Sequence, residues 1–146
     1  MPKFIFGIDP GRKGAVAWVD ENNQLQGIEE AGSSDETTPG RLFELFKNAS
    51  LVVVERPLAY PGTPAQSLVT LTESYGAAVA LARASGVPVI TPTASTWKRA
   101  VGVTSVKATS VEKAIELYAL PPRTRHDKCE AALLAHYGWM QGGHYG

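Results

Sequence analysis

Three apolar, strand-like runs open the chain, at residues 3–9, 14–20 and 25–31, with turn signals at Pro10-Gly11 and Glu21-Asn22-Asn23 between them. Three such strands in succession predict an antiparallel meander. Residues 39–46 carry Leu42, Phe43, Leu45 and Phe46 behind a Thr-Pro start, the spacing of a short amphipathic helix. Leu51-Val52-Val53-Val54 is apolar at every position, so it needs cover on both faces and predicts a central parallel strand. The prolines of residues 56–64 (Pro57, Pro61 and Pro64) with Gly62 exclude regular structure there, whereas residues 65–84, rich in Ala, Leu and Val and closed by Gly86, predict a long helix. That helix is apolar nearly all round, with Leu68, Leu71, Tyr75 and Val79 near one face and Val69, Ala77 and Ala80 on others. It is therefore expected to be buried on more than one side, within its own chain or against a second subunit. A strand at 87–91, a short helix around Trp97, a helix at 106–120 and a last helix at 127–140 follow, with Pro121-Pro122 separating the final two. The order β-β-β-α-β-α-β-α-α-α is a meander continued by parallel crossover units, an α/β mixed five-stranded sheet with helices on both faces, in a single domain over residues 1–146.

The formal net charge of zero argues against indiscriminate polyanion binding, but it hides a separation along the chain. Residues 20–36 hold Asp20, Glu21, Glu29, Glu30, Asp35 and Glu36 and no base. Residues 91–128 hold Lys98, Arg99, Lys107, Lys113, Arg123, Arg125 and Lys128 against Glu112, Glu116 and Asp127. Solvated helix faces produce such runs too, so the basic stretch becomes a nucleic-acid surface only with support from elsewhere. The single cysteine, Cys129, forms no internal disulfide and excludes a four-cysteine zinc site, which suits a reducing, cytoplasmic compartment. No apolar run approaches the roughly 20 residues a membrane helix needs, and neither a targeting segment nor a membrane partner is expected.

Acidic residues stand at three places where their chemistry is conspicuous. Asp9 ends the first strand and leads into Pro10-Gly11-Arg12-Lys13-Gly14, where the backbone turns and small residues leave room. Glu55 terminates four aliphatic residues, and if its strand lies beside the first, both carboxylates project at the carboxyl end of the sheet. A buried carboxylate without a partner costs several kcal/mol, on the order of 3 to 5, and a metal ion would supply the partner. Asp127 and Glu130, three apart at a helix start, fall on one face. Taken singly, Asp9 is also a turn former and Asp127 a helix-dipole partner; the conjunction of all three segments is what points to a site. Hard oxygen donors from two strand ends and one helix suit Mg²⁺ or Mn²⁺, with a substrate phosphate completing the shell.

The segments Phe4-Ile5-Phe6-Gly7-Ile8-Asp9-Pro10-Gly11, Val52-Val53-Val54-Glu55 and His126-Asp127-Lys128-Cys129-Glu130-Ala131-Ala132-Leu133 resemble, in order and interval, the three acidic motifs of the RuvC family of Holliday-junction resolvases. The resemblance extends over nearly the whole chain. It implies an RNase H-like fold, a homodimer, and symmetric nicking of four-way DNA junctions in recombination and repair, with Asp9, Glu55, Asp127 and Glu130 holding two Mg²⁺ ions. Glu130 departs from the family pattern, which has an aspartate at that place, and one more methylene shifts the expected metal preference toward the more tolerant Mn²⁺.

The resemblance also assigns phosphate contacts to the basic stretch, in which Lys98, Arg99, Lys107, Arg125 and Lys128 are the candidates. Among them Lys107 is expected to act catalytically, as a cation beside the leaving oxygen. Leu58 and Tyr60 lie where the family presents an apolar or aromatic side chain to the junction centre, and Tyr60 is a candidate for stacking on a base, although it could equally anchor its own loop. His126 is either a proton donor beside Asp127 or a surface residue; His136 and His144 make no metal cluster and read as non-catalytic. Three alternatives stay open: a relaxed branched-DNA or flap nuclease, a non-catalytic nucleic-acid binding module, and a nucleotide-phosphate binder. The last is suggested by the Asp-x-Gly turn, although such ATPase folds duplicate the unit in longer chains.

Overall fold

The computed structural model describes residues 2–142. Its elements are β1 (Phe4–Asp9), β2 (Ala15–Val19), β3 (Leu25–Glu30), α1 (Thr38–Phe46), β4 (Ala49–Val54), α2 (Ala65–Ala84), β5 (Val89–Ile90), α3 (Ala94–Val101), α4 (Lys107–Tyr118) and α5 (His126–Met140). The strands form one mixed sheet in the order β3-β2-β1-β4-β5. β1, β2 and β3 pair antiparallel as the meander, while β4 joins β1, and β5 joins β4, in parallel. The element order is the expected one, and β5 alone is much shorter than its apolar run. Pro88 and Pro92 flank it and have no N–H to give to a ladder; they contribute only carbonyls, Pro88 to the Val52 N–H and Pro92 to the Arg56 N–H.

Side-chain alternation divides the core into two layers. Phe6, Ile8, Val52 and Val54 face α1 and α2, packing with Leu42, Phe46, Ala78, Val79 and Ala82. Ile5, Leu51 and Val53 point the other way, onto Trp97 and Val101 of α3, Ala114 of α4 and Leu133, Leu134 and Ala135 of α5. Each inner strand is thus apolar on both faces because each face carries a helical layer.

The two long helices differ in how far the chain encloses them. α2 buries only Ala78, Val79 and Ala82, all in its second half, and Val69 in its first half is 48 % exposed. The expected burial on several sides is not met within the chain: only the face with those three residues packs against the sheet and α1, while Ala65, Val69, Thr72, Ala77 and Ala80 are exposed. α5 is the helix enclosed all round: Cys129 to Ala135 is buried without a break. It lies across β1, β2, β3 and β4 and against α3 and α4.

Two glycines permit that position. A Cβ on Gly7 would collide with the backbone of Ala131 and Ala135, so strand and helix meet here without side chains between them. Gly138, at the other end of the contact, would meet Val53, Ile5 and Leu51. The far end of α5 is tied to the β2–β3 turn, where Asn23 in a left-handed conformation (φ 60°) accepts from the Tyr118 hydroxyl at 2.7 Å and bonds His136 Nδ1 at 2.9 Å. His136 therefore has a structural partner remote from the acids, in keeping with its non-catalytic reading. His144 lies outside the described residues.

Candidate active site

Strand parity decides where the first two carboxylates point. Asp9 follows Ile5 and Gly7 at intervals of two, and Glu55 follows Leu51 and Val53, so both continue the α5-facing rows of adjacent parallel strands. The Glu55 N–H donates to the Ile8 carbonyl at 3.3 Å, keeping the chain in register just past the end of β4. Gly7 brings α5 onto β1 at Ala131, so Glu130 just before it and Asp127 a turn earlier come to the same end of the sheet.

The electrostatics register this convergence. Burial raises the Asp9 carboxyl well above its ordinary range, and Glu55, Glu130 and Asp127 raise it further, against an opposing effect of Lys98. Burial likewise raises Glu55, with Glu130 adding to the shift, while the Trp97 indole and Lys98 oppose it. Acids from three chain segments therefore share one field, and that field favours an added cation.

Each of the other acids has a partner. Trp97 Nε1 donates to Glu55 Oε1 at 2.8 Å. Glu130, 4 % exposed, gathers its contacts on Oε2: the Ser110 hydroxyl donates at 3.0 Å, Lys98 Nζ stands at 3.2 Å, and His126 Nε2 lies at 3.1 Å without alignment for a hydrogen bond. Asp127 Oδ2 accepts from the Arg125 guanidinium at 2.6 Å, and the same guanidinium reaches Glu30 at 2.9 Å. Among the described residues no group of three or more His, Cys, Asp or Glu side chains has the arrangement of a finished metal cage. Mutual repulsion turns each carboxylate toward the nearest donor, and Arg125 and Lys98 supply the balancing positive charge.

The four predicted acids are thus brought to one place, while the basic candidates separate. Lys98, 16 % exposed, lies inside the cluster. Lys107 is exposed at the first position of α4, one turn before Ser110. Lys98 rather than Lys107 is therefore the lysine against the carboxylates, because α3 is pinned beside β4 while the start of α4 points to solvent. Arg99 is exposed and Lys128 half-buried. Tyr60 is 62 % exposed and, with Leu58, Pro57, Pro10 and Leu71, lines a depression of about 170 Å³ that Glu55 borders. Sequence reasoning misses Trp97 and Ser110 as partners of acids, and also Arg12 and Lys13, which share a second depression with Arg125. The adjacency of Arg12 and Lys13 to Asp9 is the signal that could reveal the last two.

No protein-family model matches the chain, and no curated protein matches it in sequence. Among solved structures it is similar to T. thermophilus RuvC in complex with Holliday junction substrate, with a TM-score of 0.70 and 17 % identity over 97 % of each chain. The Thermus thermophilus RuvC structure gives a TM-score of 0.66 at 18 % identity, covering 96 % of this chain and 97 % of that one. Five strands in a mixed sheet with a helical layer on each face constitute a RuvC-like, RNase H-like fold.

Proposed function

We propose that the protein is a divalent-cation-dependent endodeoxyribonuclease that resolves four-way DNA junctions by paired, symmetric nicks. The observation that carries this reading is the convergence of Asp9, Glu55, Asp127 and Glu130, from two strand ends and one helix, on a fold shared with a RuvC that has been captured on a Holliday junction. Their donor set fits Mg²⁺ or Mn²⁺: hard carboxylate oxygens around a partly buried Asp9 whose ionisation the neighbouring acids oppose. When bound, such cations supply positive charge to the scissile phosphate and lower the pKa of an attacking water.

The chain's own groups perform the remaining work. Asp9 and Glu55 present carboxylates from the carboxyl ends of two inner strands, and Asp127 and Glu130 face them from α5. DNA phosphates compete for Arg125 and Lys98, which are paired with Asp127 and Glu130 in the free protein, and so release those two acids toward the site. Arg12, Lys13, Arg99 and Lys128 extend the phosphate contact, Lys107 approaches the leaving oxygen from the start of α4, and Tyr60 and Leu58 offer an apolar edge to a base beside Glu55. The largely exposed first half of α2, with Val69 at its surface, supports the homodimer that opposed nicks require.

The deciding experiment incubates the protein with a labelled four-way junction, with duplex, flap and single-strand controls, in Mg²⁺, Mn²⁺ or EDTA. Paired nicks at opposed strands of the junction alone support the resolvase. Equal cutting of flaps retains a branched-DNA nuclease and removes the resolvase. Junction binding without cutting in either metal leaves a binding module, and neither binding nor cutting removes the DNA reading. Three further outcomes are expected. The longer Glu130 should make the Mn²⁺ rate exceed the Mg²⁺ rate, and a higher rate in Mg²⁺ counts against a shifted preference. Lys98→Met should lower turnover roughly tenfold to a hundredfold, the range for removing a group that orients a metal ligand. Lys107→Ala should lower turnover more than junction affinity, and equal losses in a binding and cleavage assay would reduce Lys107 to a phosphate contact.

A further inference from the structure

We propose that Trp97 is a positioning residue, whose indole N–H fixes the Glu55 carboxylate and thereby sets the cation affinity of the site; the inference rests on the nuclease reading above. Trp97 has no exposed surface, and its Nε1 lies 2.8 Å from Glu55 Oε1. A buried indole must place its N–H on an acceptor, and a carboxylate makes the bond charge-assisted. Packing alone does not call for a donor at this point, since Val53, Val101 and Leu133 around it are all apolar.

The indole suits the role chemically. It donates only and does not titrate in the physiological range, and its single N–H has one direction once the ring is packed. Glu55 has three rotatable side-chain bonds, and the backbone bond from its N–H to the Ile8 carbonyl does not by itself fix the carboxylate. With Oε1 held, the carboxylate keeps one orientation, and Oε2 is the oxygen left outside the bond.

The backbone supports the geometry from both sides. The Arg56 N–H donates to the Pro92 carbonyl at 2.8 Å, and Arg56 bridges to Thr93, the N-cap of α3. The residue after Glu55 is thus clamped to the start of the helix that carries Trp97. The next residue, Lys98, reaches Glu130 at 3.2 Å, with its Nζ 5.5 Å from the Trp97 ring centre. One turn of α3 therefore holds an acid from the sheet and an acid from α5 and fixes their separation.

The test compares Mn²⁺ binding by calorimetry, in the absence of DNA, for wild type, Trp97→Phe, Glu55→Ala and the double variant. Trp97→Phe is expected to weaken binding roughly tenfold to a hundredfold, the usual effect of losing a group that orients a ligand. In the Glu55→Ala background the same change should have no further effect, because the carboxylate it orients is gone. A lowered melting temperature with unchanged Mn²⁺ affinity, or an equal loss in both backgrounds, makes Trp97 a packing residue and overturns the inference while the nuclease reading stands. A wild type that binds no Mn²⁺ overturns both. Should Trp97→Phe fail to fold, the Trp97 indole ¹H–¹⁵N signal of otherwise intact protein serves instead. It should move on titration with Mg²⁺ and in Glu55→Ala, and a signal indifferent to both overturns the inference.

Discussion

Asp9→Asn is expected to abolish DNA cleavage, by roughly a thousandfold or more, and at the same time to raise the melting temperature of the protein in EDTA. The activity loss follows from removing the central ligand of a site in which metal charge supplies several kcal/mol of transition-state stabilisation, at about 1.4 kcal/mol per factor of ten. The stability gain has the opposite origin. Burial and the carboxylates of Glu55, Glu130 and Asp127 hold the Asp9 pKa above its ordinary value. A group whose folded pKa is raised supports the fold fully below its unfolded value, roughly 4 for Asp, and that support is lost as the pH climbs through the folded value. Asparagine carries no charge at any of these pH values. The advantage of Asp9→Asn in EDTA should therefore widen from mildly acidic pH toward neutrality, and saturating Mn²⁺ should reverse it by stabilising wild type alone. Thermal denaturation across pH, with and without the ion, reads all three signs. A variant that melts below wild type at every pH without metal would show that Asp9 is supported by contacts other than the carboxylate field.

Gly7→Ala should be the most damaging single methyl group that can be added to the sheet. Its Cβ would overlap the backbone of Ala131 and Ala135, and neither a strand in the middle of the sheet nor a buried helix has a rotamer with which to yield. We expect a loss of about 3 kcal/mol, the upper part of the range for overpacking, or roughly 6 to 12 °C for a chain of this size. The displaced α5 also carries Asp127 and Glu130 away from Asp9, so the surviving folded protein should bind Mn²⁺ more weakly. Calorimetry and thermal melting of one preparation decide the matter: a shift under about 2 °C with unaltered metal affinity would mean that strand and helix separate freely at this point. Ala substituted at Gly40, where an added Cβ meets nothing, is the matched control.

The strand ends were legible in the sequence because a charged residue closing an apolar run contradicts its surroundings. Alternation then does the rest: once β1 and β4 are neighbours, Asp9 and Glu55 must share a face. Spacing of three places Asp127 and Glu130 together by the same local logic. What local pattern does not contain is the identity of the partner layer. The apolar run of α2 announces a burial that the chain does not provide, whereas α5 is enclosed because Gly7, far away in the chain, lets it descend onto β1. The lysine against the acids is Lys98 rather than Lys107 for a related reason. Its place depends on the Arg56 and Pro92 backbone bond that locks α3 beside β4, an interaction without a side-chain signature. Trp97 and Ser110 read as an ordinary core residue and an ordinary helical serine because their acceptors, Glu55 and Glu130, belong to other segments.

The position of α5 also orders events during folding. The middle strand, β1, receives its parallel neighbour only after β4 has been made, and its cover only when α5, the last described element, exists. Until then Ile5, Leu51 and Val53 lack the larger part of their cover, and Asp9 and Glu55 stand at the end of their strands without the acids that complete the cluster. Long sequence separations of this kind slow the final closure, and an exposed apolar sheet is prone to self-association while it waits. The same delay means that no partly folded chain assembles the full set of carboxylates: docking of α5 hides the sticky surface and creates the site in a single step.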